Sequence, residues 1–318
     1  MIVIRAIASA LPKHRIDNDT IASWCGSDAA FLKEKVGLEE RRFLDSDQSC
    51  LDLAAEACNA LFAQNPELSP ATVQLCLLVG QVHDQIIPHS SALLQHRLGL
   101  PESCACADIG LACSGYVYGL SMARGMMETE GLDNALLVTC DPYSRIMGTT
   151  NRNTVPLFGD AATATWLSRG GSGLAVGLCD MGTDGSRASH LWLAAPEASG
   201  PLPELSMNGR GIFQFAMTRV PVTIRRCLER NGLTDSDLAC YLFHQANAFI
   251  LEQLRKHLNL SPERCPVLMG HTGNTVSSSL PLALNQILPD APAACRILLC
   301  GFGGGLSWAS TILTRNND

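Results

Sequence analysis

Two rhythms of apolar and polar positions run along the chain, and together they outline an α/β protein. Short uninterrupted apolar runs occur at Leu75 to Gly80, Ala135-Leu-Leu-Val138, Tyr241-Leu-Phe243 and Arg296-Ile-Leu-Leu-Cys300. They have the length of strands buried on both faces of a mostly parallel sheet. Between them the apolar residues recur every three or four positions, the helical period. Ser49 is placed to cap a helix whose apolar side carries Leu51, Leu53, Ala54, Ala57, Cys58 and Leu61, with Asn65-Pro66 as its stop. Asp17 to Thr20 and Ser27-Asp28 are further caps, the second leading through Phe31, Leu32, Lys35 and Val36 to a stop at Gly37. The segment from His83 to His89 leads into a helix around Leu93, Leu94 and Leu98, and Ile212 to Arg230 is a long helical stretch. Pro221 inside it predicts a kink or a split, and its Arg225, Arg226 and Arg230 read as a solvated face.

The same order of elements occurs twice. Leu77-Leu-Val-Gly80 is answered by Tyr241-Leu-Phe-His244, Cys113 by Asn274, and Ala135-Leu-Leu-Val138 by Arg296-Ile-Leu-Leu-Cys300, each after roughly 162 residues. Ala162-Thr-Ala-Thr-Trp-Leu167 and Trp308-Ala-Ser-Thr-Ile-Leu313 form a fourth pair, as closing strands at a shorter offset. Such a period is too long for a solenoid and predicts two duplicated α/β halves, residues 1–169 and 170–318, divided at the Gly170-Gly-Ser-Gly173 turn.

Composition narrows the class. With 318 residues, 47% of them hydrophobic, the chain has ample material for a core. A net charge of −7 without basic blocks argues against nucleic acid as a partner. The N-terminal run from Met1 to Pro12 reads as a first strand, not a signal peptide, and no run approaches membrane-spanning length. The fourteen cysteines sit in apolar contexts without a C-x-x-C pair or metal-like spacing. They predict a reducing, cytoplasmic location, mostly inert core thiols and no metal site.

Cys113, in Asp108-Ile-Gly-Leu-Ala-Cys-Ser-Gly115, stands where a helix-like pattern begins. In the first turn of a helix, unpaired backbone N–H groups and the positive end of the dipole favour thiolate, the form that attacks thioesters. A buried structural thiol is the alternative. His244 in Phe243-His-Gln-Ala-Asn247 follows an apolar strand, and Asn274 lies in Gly270-His-Thr-Gly-Asn-Thr-Val276. Open α/β sheets place their sites at the carboxyl ends of strands, so two halves related by a pseudo-dyad would gather Cys113, His244 and Asn274. Taken singly, His244 could be a satisfied structural histidine and Asn274 a turn former. Gly301-Phe-Gly-Gly-Gly-Leu306 lacks the helix context and lysine of a phosphate loop.

Together, Ala112-Cys-Ser-Gly115, His244-Gln-Ala-Asn247, Gly273-Asn-Thr275, Phe158-Gly-Asp-Ala161 and Phe302-Gly-Gly-Gly-Leu-Ser-Trp308 resemble β-ketoacyl-acyl-carrier-protein synthase III of the thiolase superfamily. The wording from Cys113 to Gly125 is closer to the quinolone-signal branch of secondary metabolism, whose members accept anthraniloyl groups, than to the housekeeping enzymes. The resemblance implies a five-layered α-β-α-β-α fold, a cytoplasmic homodimer and no permanently bound cofactor, with coenzyme A (CoA) thioesters as substrates. It makes Cys113 the acyl-carrying nucleophile and the backbone N–H groups of Cys113 and Gly304 the oxyanion hole. His244 and Asn274 become donors to the enolate formed when a malonyl thioester loses carbon dioxide. It places Phe31, Lys35, Arg152, Gly209 and Asn247 along CoA and pantetheine, and Ile87 in the acyl pocket of the partner subunit. Four positions depart from the family: Phe31 stands for a stacking Trp, Lys35 for an Arg, and Phe249 and Gln214 for carrier-docking cations. Fewer cations weaken attraction to an acidic acyl carrier protein, so the expected extender is a CoA ester or an acyl carrier protein docked differently. The alternative reading keeps acyl-Cys113 but passes the acyl group to an alcohol or amine, with His244 as general base.

Overall fold

The computed structural model describes residues 1–195 and 203–316, and the sequence rhythms account for its layers. β1 (Ile2–Ala10) is followed by a ribbon of β2 (His14–Asp17) and β3 (Glu40–Phe43). Between the ribbon strands lie α1 (Asn18–Cys25), capped by Asp17, and α2 (Ala29–Phe31), capped by Asp28. α2 runs into a π-helical turn, Leu32–Val36, which Gly37 ends at φ 80°. α3 (Cys50–Gln64) carries the expected Ser49 cap, closed into a reciprocal box by Asp52.

β4 (Leu75–Val79) is wholly buried, for a reason its period of two makes visible. Leu75, Leu77 and Val79 face a central core, while Cys76 and Leu78 face an outer core beneath α3 and α4 (Ser90–Arg97). After β5 (Ala105–Ile109) and α5 (Gly115–Glu130), β6 (Asn134–Cys140) repeats the division, with Ala135 and Leu137 inward and Leu136 and Val138 outward. An unbroken apolar run is thus two dry faces, each Leu contributing roughly 1.5–3 kcal/mol on burial.

β7 (Ala162–Arg169) turns into β8 (Gly173–Val176), and β9 (Asp180–Thr183) follows. A second ribbon, β10 (Leu191–Trp192) with β11 (Ser206–Met207), precedes α6 (Gly209–Asn231), β12 (Cys240–Phe243), α7 (Ala248–His257), α8 (Ser279–Ile287), β13 (Arg296–Gly303) and β14 (Ser307–Asn316). Across the main sheet the order is β12-β13-β14-β8-β1-β7-β6-β4-β5, with β9 beside β14. β4 pairs parallel with β6, and β6 antiparallel with the closing strand β7; β12, β13 and β14 repeat that arrangement. The two sets meet where β1 and β8 run antiparallel.

α5 touches β4 and β6 on one side and β13 and β14 on the other, and α8 touches β1, β7, β12 and β13. These two helices therefore form a middle layer between the two sets of strands, with α3 and α4 outside the first set and α6 and α7 outside the second. This is the five-layered, two-half architecture expected. One local expectation fails: α6 runs without a break through Pro221. Its Phe215, Ala216, Val220 and Ile224 are buried in the outer core, and that packing offsets the hydrogen bond a proline removes. Among the described residues, no helix is long and apolar enough to cross a membrane.

Candidate active site

Cys113 lies between β5 and α5, 5% exposed. The helix starts at Gly115, so Cys113 precedes the cap residue Ser114 instead of occupying the first turn. Its Sγ meets its own backbone N–H and that of Gly304, from the loop after β13. Two glycines at the end of β13 are required by close approach. A Cβ on Gly303 would lie 2.8 Å from Cys113 Sγ, and one on Gly301 would lie 2.5 Å from Cys113 O.

His244 extends β12, its N–H donating to Cys300 O at 2.8 Å. The imidazole is 2% exposed, stands edge-on to Phe302 at 5.7 Å, and has Nδ1 2.6 Å from Ser279 Oγ at the start of α8. Asn274 is tied to the first half through its N–H to Leu157 O (2.8 Å) and its carbonyl, which accepts from Gly159 N–H (3.1 Å). Only glycine fits at 159, where a Cβ would lie 2.0 Å from Thr272 O. The Asn274 side chain accepts at Oδ1 from Val276 N–H, 2.9 Å. An amide whose oxygen is used in this way presents its Nδ2 donors elsewhere.

Cys113, His244 and Asn274 line one narrow cavity of about 60 Å³. Gly209, Ile212, Asn247 and Ile250, from the first turns of α6 and α7, line it too. Asn247 also caps α7, its Oδ1 accepting from Ile250 N–H at 2.8 Å. A second cavity of about 360 Å³ adjoins Gly304 and Gly305 and shares Leu191 with the first.

Burial sets the protonation states. It pushes the Cys113 thiol up to about 12, with the charge of Asp141 adding to the effect and the two N–H groups opposing it. The resting group is therefore a thiol, contrary to the thiolate expected from the helix dipole, because desolvation outweighs the donors. Burial alone pushes His244 down to about 3, so its imidazole is neutral. Asp141, directly after β6 and fully buried, is pushed up to about 7, again mainly by burial. Its Oδ1 accepts from Gln81 N–H at 2.6 Å, while its Oδ2 has no hydrogen-bond partner among the described residues.

Phe31 and Lys35 are exposed and line neither cavity. Arg152 donates to Cys25 O and Gly26 O at the end of α1, at 2.7 and 2.8 Å. Ile87 is 86% exposed and lines neither cavity of this chain. Phe249 is 54% exposed and meets Phe213 in a tilted ring contact, with centroids 5.5 Å apart. The residues that sequence reasoning missed are Ser279 and Asp141. An aspartate directly after a buried apolar strand was a legible signal for the second. For Ser279 the signal was only its helix-start position after Asn274.

Comparison with known proteins gives a consistent answer. Residues 107–185 match the family model described as 3-oxoacyl-[acyl-carrier-protein (ACP)] synthase III, and residues 228–315 match its C-terminal counterpart. Beta-ketoacyl-[acyl-carrier-protein] synthase III of Staphylococcus aureus (strain Newman) is 31% identical over 309 residues, 96% of each chain. A crystal structure of a 3-oxoacyl-(acyl-carrier-protein) synthase III superposes with a TM-score of 0.92 at 36% identity, covering 98% of this chain and 99% of the other. The priming beta-ketosynthase from the R1128 polyketide biosynthetic pathway superposes equally well, TM-score 0.92, at 25% identity over 100% and 97% of the two chains.

Proposed function

The chain belongs to the 3-oxoacyl-[acyl-carrier-protein] synthase III family of condensing acyltransferases, and within that family we propose that it loads an acyl group from acyl-CoA onto Cys113 and extends it in specialised metabolism. Cys113 sulfur attacks the thioester carbonyl, the CoA sulfur leaves, and the thiol proton ends on CoA. The N–H groups of Cys113 and Gly304 hold the oxyanion, one such donor being typically worth about 3–4 kcal/mol. A malonyl thioester then loses carbon dioxide, and the enolate carbon attacks acyl-Cys113. A β-ketoacyl thioester leaves, and the released Cys113 thiolate takes a proton from solvent.

The observation that carries condensation over transfer to an alcohol or amine is how His244 and Asn274 are held. We assign Ser279 O–H as the donor to Nδ1, which puts the His244 proton on Nε2. With Oδ1 of Asn274 taken by Val276 N–H, its free groups are also donors. Two donors suit an enolate oxygen; a general base would need Nε2 free of its proton. Gly209 and Asn247, which line the cavity with Cys113, would contact the pantetheine arm, and Phe31, Lys35 and Arg152 would contact the nucleotide. Phe249 and Gln214, both exposed in place of docking cations, support CoA over an acidic carrier as the extender's handle. The fourteen free thiols support a reducing, cytoplasmic location. The edge strand β5 and the exposed Ile86 and Ile87 support a homodimer.

Intact-protein mass spectrometry with a panel of acyl-CoAs, followed by malonyl-CoA, tests the reading. It expects an adduct absent from Cys113→Ala, then carbon dioxide and discharge. An adduct discharged only by alcohols or amines would establish the alternative, and a wild type that takes no adduct would sink both.

A further inference from the structure

The second cavity is lined by Gly304, whose N–H meets the Cys113 sulfur, and most of its wall is apolar: Ile146, Leu191, Trp192, Leu193 and Leu205. Two polar side chains interrupt that wall, Gln81 and Tyr143. Tyr143 is 2% exposed, and its phenol donates to Gln81 Oε1 at 3.0 Å. Burial and the nearby Asp141 push that phenol well above its ordinary range, so it remains a donor at every working pH. A tyrosine that donates fixes the rotation of the amide it meets. Gln81 Oε1 therefore turns to Tyr143 and Nε2 turns away, where its one contact is long, 3.4 Å to Gly110 O. The backbone beneath is held independently by the bond from Gln81 N–H to Asp141.

We propose that this cavity selects acyl groups bearing a hydrogen-bond acceptor along the chain, read by the Gln81 amide that Tyr143 orients. The inference rests on the acyl-loading reading above and names the class of primer: a keto-, hydroxy- or heteroatom-substituted acyl thioester rather than a plain alkanoyl one. An oriented donor rejects a chain without an acceptor because the donor then loses its water without replacement. An all-apolar wall would favour the plain chain.

The test is a competition in one tube. Wild-type protein is given equimolar hexanoyl-CoA and 5-oxohexanoyl-CoA, then the longer pair heptanoyl-CoA and 6-oxoheptanoyl-CoA. The two Cys113 adducts are resolved by intact mass at early times. Their ratio is independent of how much protein is folded, so a merely structural effect of a substitution leaves it unmoved. The expected result is a preference of about tenfold for the oxo chain in at least one pair. Gln81→Leu should reverse it, and Tyr143→Phe should weaken it while loading continues. Adducts formed at a ratio of one or below in both pairs, or a preference unchanged in Gln81→Leu, would overturn the inference and leave acyl loading standing. A wild type with no adduct from any acyl-CoA would overturn both.

Discussion

Gly303→Ala puts a single methyl group against the proposed nucleophile, Cys113. The new methyl would sit 2.8 Å from Cys113 Sγ and 2.9 Å from its Cβ, whereas non-bonded heavy atoms settle at about 3.5–4.0 Å. Relief therefore requires a movement of about 1 Å, shared between the β13 loop and Cys113. Cys113 has little freedom to give, because its carbonyl abuts Gly301 and it is 5% exposed. A misplacement of that size costs on the order of 100-fold in rate where a reacting atom must meet a fixed geometry. Overpacking of this kind costs roughly 1–3 kcal/mol of stability, a Tm loss of a few degrees in a chain this long. The assay is the initial rate of acyl adduct formation by intact mass, with Tm and far-ultraviolet circular dichroism measured alongside. Gly125→Ala is the control: it lies in α5 with nothing within 4 Å of the added methyl, and should load normally with unchanged or raised Tm. A Gly303→Ala protein that loads at the wild-type rate would refute the close approach of the loop to the sulfur.

Three further outcomes follow from the same geometry. Iodoacetamide alkylation of Cys113 should climb steadily from pH 7 to pH 10, because its thiol is raised to about 12; a plateau below pH 8 would show a resting thiolate. Ser279→Ala removes the hydroxyl from His244 Nδ1 and should slow malonyl decarboxylation about tenfold while adduct formation on Cys113 stays near wild type; equal loss in both steps would remove its assignment to the His244 tautomer. Asp141→Asn should show a pH-dependent stability difference. A carboxyl raised from 3.8 to about 7 in the folded state stabilises the wild type fully below pH 3.8, and that contribution is lost as pH rises to 7. It is of order 4 kcal/mol. The Tm of the variant relative to wild type should therefore improve between pH 4 and pH 8, and a constant difference would contradict the buried, partnerless Oδ2.

The fold was legible where a single residue pattern had a single physical cause. The runs at Leu75 and Ala135 are unbroken because both faces of β4 and β6 are dry, and the doubled order of runs survives as the doubled pairing of strands. Cys113, His244 and Asn274 were legible because each stands at the end of an apolar run or in a glycine-flanked loop. What the sequence hid depends on distance between segments. Ser279 matters through an atom 35 positions away, and Gln81 through Tyr143 62 positions away. Neither has a periodicity to announce it. The thiolate expectation failed for a related reason: the helix start was visible, but not the burial created when the β13 loop closes over the sulfur.

That burial explains the choice of groups in the site. Charges are costly in a pocket this enclosed, and the resting site avoids them with a protonated thiol and a neutral imidazole. The proposed reaction nevertheless passes through two oxyanions, first on the acyl carbonyl held at Cys113 and then on the malonyl-derived enolate. Neutral donors suit both, since they stabilise an anion when it forms without adding a buried cation before it does. The chain supplies them in two pairs: backbone N–H groups from Cys113 and Gly304 on one side, and side-chain N–H groups from His244 and Asn274 on the other. One member of each pair comes from a segment its partner does not belong to, so neither pair exists until the loops are packed. A lysine in place of Asn274 would add a permanent buried charge for a need that lasts only as long as the enolate.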